Sequence, residues 1–239
     1  MTRKGFDELS KIADVIVTGS PILQNLIKRE YRDKAVYLTT TDGDIWSRVD
    51  NKTIEQRLST LESEVRVIWV GTFPGLGCLK QVMPAMDLLG ETIEKQNRQL
   101  VMTVVCDFPL EYEPNHFSLR NIQWEREVAI HEMLSAHVGL MPLNEGESSE
   151  GKCGFKLIQY LSAAMPVVGS DVGMNKMIIT EKCGRPLKGF KAEEWCEAIK
   201  SLVANKDMFE EYCIGARKQW EMNFSYNEMF DKWKNLLTF

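Results

Sequence analysis

Two periods of apolar residues take turns along most of this chain. Short runs rich in β-branched side chains, VRVIWVG from residue 65, QLVMTVVC from 99, HVGLMPL from 137 and PVVGS from 166, read as buried strands, with NIQW from 121 as a shorter one. Between them the period changes to that of a helix. Leu79, Val82, Met83, Met86 and Leu89 recur at helical spacing through CLKQVMPAMDLL, and REVAIHEMLSA is amphipathic. GKCGFKLIQYLSAAMP reads as a helix that starts at a loop and stops at Pro166, with a further short helix after Gly173. Strands alternating with helices predict a parallel, doubly wound α/β sheet with right-handed crossovers.

The two ends of the chain differ from this middle. ADVIVTGS and KAVYLTT read as strands, joined by a helix over ILQNLIKREY with Ser20 as N-cap and Pro21 at the first helical position. Residues 41–64 carry no strong period, and DGDIWSRVDNKT is turn-rich, so a linker is expected there. From residue 192 the pattern is helical throughout. Three successive amphipathic segments follow one another, with Asp207 and Ser225 as expected N-caps of the last two.

Composition narrows the functional classes. The 239 residues are 44% apolar and 26% charged, and 34 acids outweigh 29 bases for a net charge of -5. Such a balance argues against nonspecific nucleic-acid binding, which needs a basic surface. No apolar run approaches the roughly 20 residues of a membrane helix. The polar start MTRKGFDELSK lacks the apolar core of a signal peptide, which leads to an expected cytoplasmic location. Six scattered cysteines and three histidines do not fall at zinc-ligand spacing, so reduced thiols, no metal and no cofactor are expected.

In an open α/β sheet, ligands bind beyond the carboxyl ends of the strands. Four loops leave such ends here. GTFPGLG, residues 71–77, has glycines that let backbone approach a phosphate, although a strand-to-helix turn needs glycine in any case. Residues 124–126 offer the Trp124 ring and the Arg126 guanidinium, both able to stack on a base; a tryptophan that merely caps the core is the plainer reading of Trp124. PLNEGESSEGK, residues 142–152, is long and acidic. GSDVGMNK, residues 169–176, has backbone amides for a second polar group. The helix start at residues 151–156 adds free N–H groups and a partial positive charge, with Lys152 just outside it and Lys156 one turn in. Phosphate donors combined with carboxylates suit a sugar nucleotide. Hydride transfer fits less well, because the GxGxxG fingerprint is missing.

The segment VGLMPLNEGESSEGKCGFKLIQYLSAAMPVVGSDVG resembles the donor-site segment of family-4 (group 1) glycosyltransferases of the two-domain GT-B fold. VIWVGTFPG resembles the first strand and phosphate loop of their C-terminal domain, and the flanking segments resemble its neighbours in the right order. The resemblance implies a remnant of the N-terminal domain plus linker over residues 1–55, a Rossmann-like nucleotide-sugar-binding domain over residues 56–222, and a closing helix over residues 223–239 that packs back on the remnant. It implies Gly71, Thr72, Lys152, Gly154 and Lys156 at the donor phosphates, Glu150 and Gln159 at the sugar and ribose, and Trp124 and Arg126 at the base. Gln159 aligns with the second glutamate of the family's pair; the first aligns at Gly151, beside Glu150. No histidine maps to a catalytic position.

The implied activity is transfer of a sugar from a nucleotide-sugar donor to a glycan or other acceptor with retention, in polysaccharide or surface-glycan synthesis, in the cytoplasm or at the inner face of the membrane. The acceptor half is expected from a partner chain, a second copy or an upstream frame. The alternatives are a non-catalytic nucleotide-binding module and a GT-B sugar-nucleotide epimerase.

Overall fold

A computed structural model describes residues 3–237. The chain opens with α1 (Arg3–Ile12), β1 (Ile16–Thr18), α2 (Pro21–Leu26) and β2 (Ala35–Tyr37), and β1 pairs with β2 as a two-stranded parallel sheet. The Ser20 hydroxyl accepts the Leu23 amide at 3.1 Å and Pro21 opens α2, as the sequence predicts. The helix is shorter than its apolar residues imply. Ile27 is already extended, and residues 29–34 form a 3₁₀ turn.

Residues 41–64 are not the irregular, turn-rich stretch expected. They contain α3 (Gly43–Trp46) and α4 (Asn51–Thr60). The apolar period missed α4 because its one fully buried residue is a cation, Arg57, while its apolar Ile54 and Leu58 are only partly buried against the core. Its start was nonetheless encoded, since Asp50 and Thr53 form a reciprocal capping box.

The main sheet follows. Its elements are β3 (Glu64–Val70), α5 (Leu76–Lys80), α6 (Met83–Glu94), β4 (Gln99–Cys106), β5 (Ser118–Gln123), α7 (Arg126–Ser135), β6 (Val138–Met141), α8 (Glu147–Glu150), α9 (Phe155–Ser162), β7 (Val167–Ser170), α10 (Asn175–Ile178) and β8 (Gly184–Leu187). The order is β5-β4-β3-β6-β7-β8, with every pair parallel. Three helices close the described chain: α11 (Ala192–Leu202), α12 (Lys206–Asn223) and α13 (Tyr226–Leu237).

Three local expectations are corrected here. The predicted helix over residues 78–89 is two helices, because Pro84, lacking an amide, starts α6 afresh. Strand β8 was not anticipated: its GRPL composition is unlike a strand, yet an edge position tolerates Pro186. Asn205, not Asp207, caps α12, accepting the Met208 amide at 2.9 Å.

Side-chain alternation along β3 divides the core into two layers. Val65, Val67 and Trp69 join the cluster with α6 and α11, whereas Ile68 and Val70 join the cluster with α7 and α9. The chain winds β3, β4, β5 one way, then returns through α7 to place β6 against the other side of β3. The crevice at this reversal is where ligands bind in such sheets.

At the opposite end of the sheet, Arg57 is 1% exposed. Its guanidinium donates to the carbonyls of Met133, Leu134, Ala163 and Ala164 at 2.8–3.0 Å. These carbonyls end α7 and α9, so one cation satisfies the acceptors left unpaired at two helix C-termini.

Candidate functional site

The crevice exists because β3 and β6 pair only briefly. Their register is Val67 with Val138 and Ile68 with Gly139. Beyond it, the Val70 amide donates instead to the buried Tyr160 hydroxyl at 2.9 Å. Gly139 makes that ring possible, since a Cβ there would stand 2.5 Å from Tyr160 Cδ2. The strands therefore part at their carboxyl ends. A cavity of about 230 Å³ opens there, lined by the end of β3, the residues after β5, α7 and the first turns of α9.

Six residues picked from the sequence line this one cavity: Gly71, Thr72, Trp124, Arg126, Lys156 and Gln159. They come from the loop after β3, the entry to α7 and the first turns of α9, and meet because β3, β5 and β6 belong to one parallel sheet and end at the same edge of it. Glu150, Lys152 and Gly154 stand outside the lining. Gly154 is the N-cap of α9 with φ 72°, a left-handed turn that lets the chain enter the helix, and a Cβ there would meet Ile178 Cδ1 at 2.2 Å. Lys152 is exposed. The Glu150 carboxylate accepts the Gly173 amide at 3.1 Å and faces the Lys176 ammonium at 3.9 Å, so it joins α8 to the loop after β7.

The two sides of the cavity differ in charge balance. On one side the Lys156 ammonium lies 4.4 Å from the centre of the Trp69 ring, and among the described residues no carboxylate or hydrogen-bond acceptor meets it. Trp69 belongs to the opposite core layer, so the lysine reaches across the end of β3. Gly71 leaves the room: a Cβ there would be 2.3 Å from Trp69 and 2.7 Å from Lys156 Nζ. Burial, and secondarily the charge of Lys152, lowers the pKa of Lys156 to about 8. No side chain caps α9, so its first amides remain available beside this cation.

On the other side, charges are paired. Arg126 donates to Asp44 at 2.7 Å and to Asp42 at 3.3 Å, and the Gln159 amide donates to Asp42 at 2.9 Å. The hydrogen bond to Asp44, then the charge of Asp42, raises the pKa of Arg126. The Trp124 ring is 49% exposed at the rim, so it is not the core cap of the plainer reading. Sequence reasoning missed Asp42, Asp44 and Trp69. The two carboxylates sit in the stretch read as a linker, and only the acidic Asp-Gly-Asp turn at residues 42–44 marked them.

None of the three histidines lines the cavity. His137 is buried, and its pKa falls to about 3 because desolvation disfavours the imidazolium. Its ring accepts the Arg66 amide at 2.8 Å and meets the Arg57 carbonyl at 2.9 Å, a structural use. No helix among the described residues is long and apolar enough to cross a membrane.

With this geometry in place, the comparisons decide the family. The model for glycosyl transferases group 1 matches residues 64–205, more than half of the chain. The chain belongs to the group 1 glycosyl transferases. The match spans the whole six-stranded sheet of this chain, from β3 to β8, and leaves Asp42 and Asp44 outside it. The sequence matches no curated protein.

Solved structures similar to this chain include HepE of Anabaena in complex with UDP and glucose, at TM-score 0.72 and 9% identity over 99% of this chain and 66% of that one. A glycosyltransferase of Rickettsia africae gives 0.65 and 14%, with the same coverages. TarM of S. aureus, in complex with UDP among other ligands, gives 0.67 and 14% over 99% of this chain and 46% of that one. The chain thus spans less than two thirds of the length of these proteins. At such identities the likeness concerns the fold, and the fold is that of GT-B glycosyltransferases.

Proposed function

We propose that this chain binds a nucleotide-sugar in the cavity at the parting of β3 and β6, and that it serves transfer of the sugar to an acceptor. The observation carrying this reading is the Lys156 ammonium, drawn into the cavity wall with no anion among the described residues to meet it. A half-buried, uncompensated cation beside uncapped helix amides is costly unless an anion visits it. A diphosphate supplies two. In the reaction, the same groups stabilise the nucleoside diphosphate as negative charge grows on the leaving oxygen. Thr72 and the backbone at Gly71 flank the phosphates, while Lys152 adds positive potential from outside.

Gln159 and Arg126 then face the ribose and base, with Trp124 as a stacking surface at the rim. Glu150, the last residue of α8, is the group proposed for the sugar end. The UDP held by HepE and TarM supports the donor class, since both share the fold. Retention of anomeric configuration rests on the family resemblance.

Calorimetric titration of the chain with uridine, guanosine and adenosine diphosphates tests the reading. Binding by at least one is expected, with about a hundredfold loss in Lys156→Ala, the range of a buried charged partner removed. Unchanged affinity in that variant overturns the phosphate assignment. Release of nucleoside diphosphate from a panel of sugar nucleotides separates turnover from binding alone.

A further inference from the structure

Asp42 is 3% exposed, precedes the first residue of α3, and makes no side-chain bond to cap that helix. Its carboxylate is spent elsewhere, on Gln159 Nε2 at 2.9 Å and on Arg126 at 3.3 Å. Resting on the donor-site reading above, we infer that Asp42 is a positioning residue that sets which end of the Gln159 amide meets the ligand. The site thereby selects a hydrogen-bond donor, such as a ribose hydroxyl, at that point.

The argument is one of hydrogen-bond chemistry. An ionised carboxylate only accepts, so the Gln159 amide must turn its NH₂ toward Asp42. Oε1, an acceptor, is then the atom left for a ligand. A free glutamine could present either end; this one cannot without aiming its oxygen at a carboxylate. Arg126 is held in the same way, its charge divided between Asp42 and Asp44, so its plane is fixed at the rim of the cavity.

Asp42 itself is held from outside the sheet. The Tyr226 ring at the start of α13 covers Gly43 so closely that a Cβ there would lie 2.4 Å from it. Thr41 donates its hydroxyl to the Phe224 carbonyl. Trp46 stacks on Trp220 of α12 at 5.8 Å, and its indole donates to Glu221. The C-terminal helices therefore grip residues 41–46, and residues 41–46 orient the two cavity residues.

The experiment is a charge exchange in the full chain. Titrations use inorganic pyrophosphate and whichever of uridine, guanosine or adenosine diphosphate binds the wild type most tightly. Asp42→Asn is expected to weaken the nucleoside diphosphate about tenfold, the scale of one misdirected hydrogen bond to a buried group, with pyrophosphate affinity unchanged. Gln159→Glu is expected to do the same, because it sets two carboxylates against each other. The double variant D42N/Q159E is expected to restore affinity to within about threefold, since the amide and carboxylate have exchanged places and an oxygen again faces the ligand.

A purely structural salt link would move both probes together, or neither, and would not be rescued. Either result overturns the inference, as does a double variant no better than the singles. Should Asp42→Asn fail to fold, Gln159→Glu at its half-buried position decides: full nucleoside diphosphate affinity in that variant overturns the inference. A wild type that binds none of the probes overturns the donor-site reading and this one together.

Discussion

Two cations are drawn into this fold, one at each end of the same sheet, and they have opposite surroundings. Arg57, below the strands, gives its donors to four carbonyls at the ends of α7 and α9. Lys156, above the strands, has an aromatic ring beside it and no acceptor among the described residues. Both sit against the same helices, since α9 carries Lys156 in its first turn and ends on Arg57. The comparison teaches how to separate scaffold from site. A buried charge whose partners are complete holds structure together, whereas one whose partners are missing waits for them from outside. The helix dipole acts in the same sense at both ends, presenting acceptors to the arginine and amides to the incoming anion.

The comparison is easiest to break at Arg57. Arg57→Met leaves four buried carbonyls without a donor and is expected to cost about 3–5 kcal/mol. Chemical denaturation reads this directly. A loss under about 1 kcal/mol, the scale of an ordinary surface change, would show that the arginine is not the keystone of the lower end.

At Lys156 the expectation reverses. Lys156→Met keeps the stem that packs on Trp69 and removes the uncompensated charge. Affinity for inorganic pyrophosphate is expected to drop about a hundredfold while the melting temperature holds or rises, the trade expected where a site is strained for function. A variant that melts several degrees lower, as a chain losing a structural contact would, makes Lys156 a second Arg57 and removes the contrast.

The smallest effect sharpens the comparison through pH. Lys156 has a folded pKa lowered to about 8 from the ordinary 10.5, so the unfolded chain holds more protons between those values. Its contribution to stability therefore rises with pH across that window, because the cost of the buried charge is relieved. Ligand binding moves the other way, since a neutral amine no longer attracts phosphate. Pyrophosphate affinity is expected to fall about tenfold from pH 7 to pH 9 in the wild type, and to stay level in Lys156→Arg, whose guanidinium keeps its charge. Equal slopes in both proteins would assign the titration to another group.

The legibility of the chain follows the same physics. Strands β3, β4, β6 and β7 were readable because each is a local run of apolar residues, and local patterning needs no knowledge of partners. Helix α4 was hidden because its buried residue is an arginine, whose acceptors lie 76 to 107 positions away in sequence. Strand β8 was hidden because an edge strand tolerates a glycine and a proline.

By itself the sequence determined the alternation that makes a doubly wound sheet, the loops that leave its strand ends, and the motif that carries the family. It also named six of the residues that line the cavity. Only the tertiary structure decided which of those residues are free and which are tied. It brought Asp42 to Gln159 across 117 positions, set Trp69 under Lys156, and left Glu150 and Lys152 outside the lining. The physical reason is that charge balance is a property of space rather than of chain order. Whether a cation is satisfied depends on what stands within about 3 Å of it, and that distance is settled only when strands far apart in sequence lie side by side.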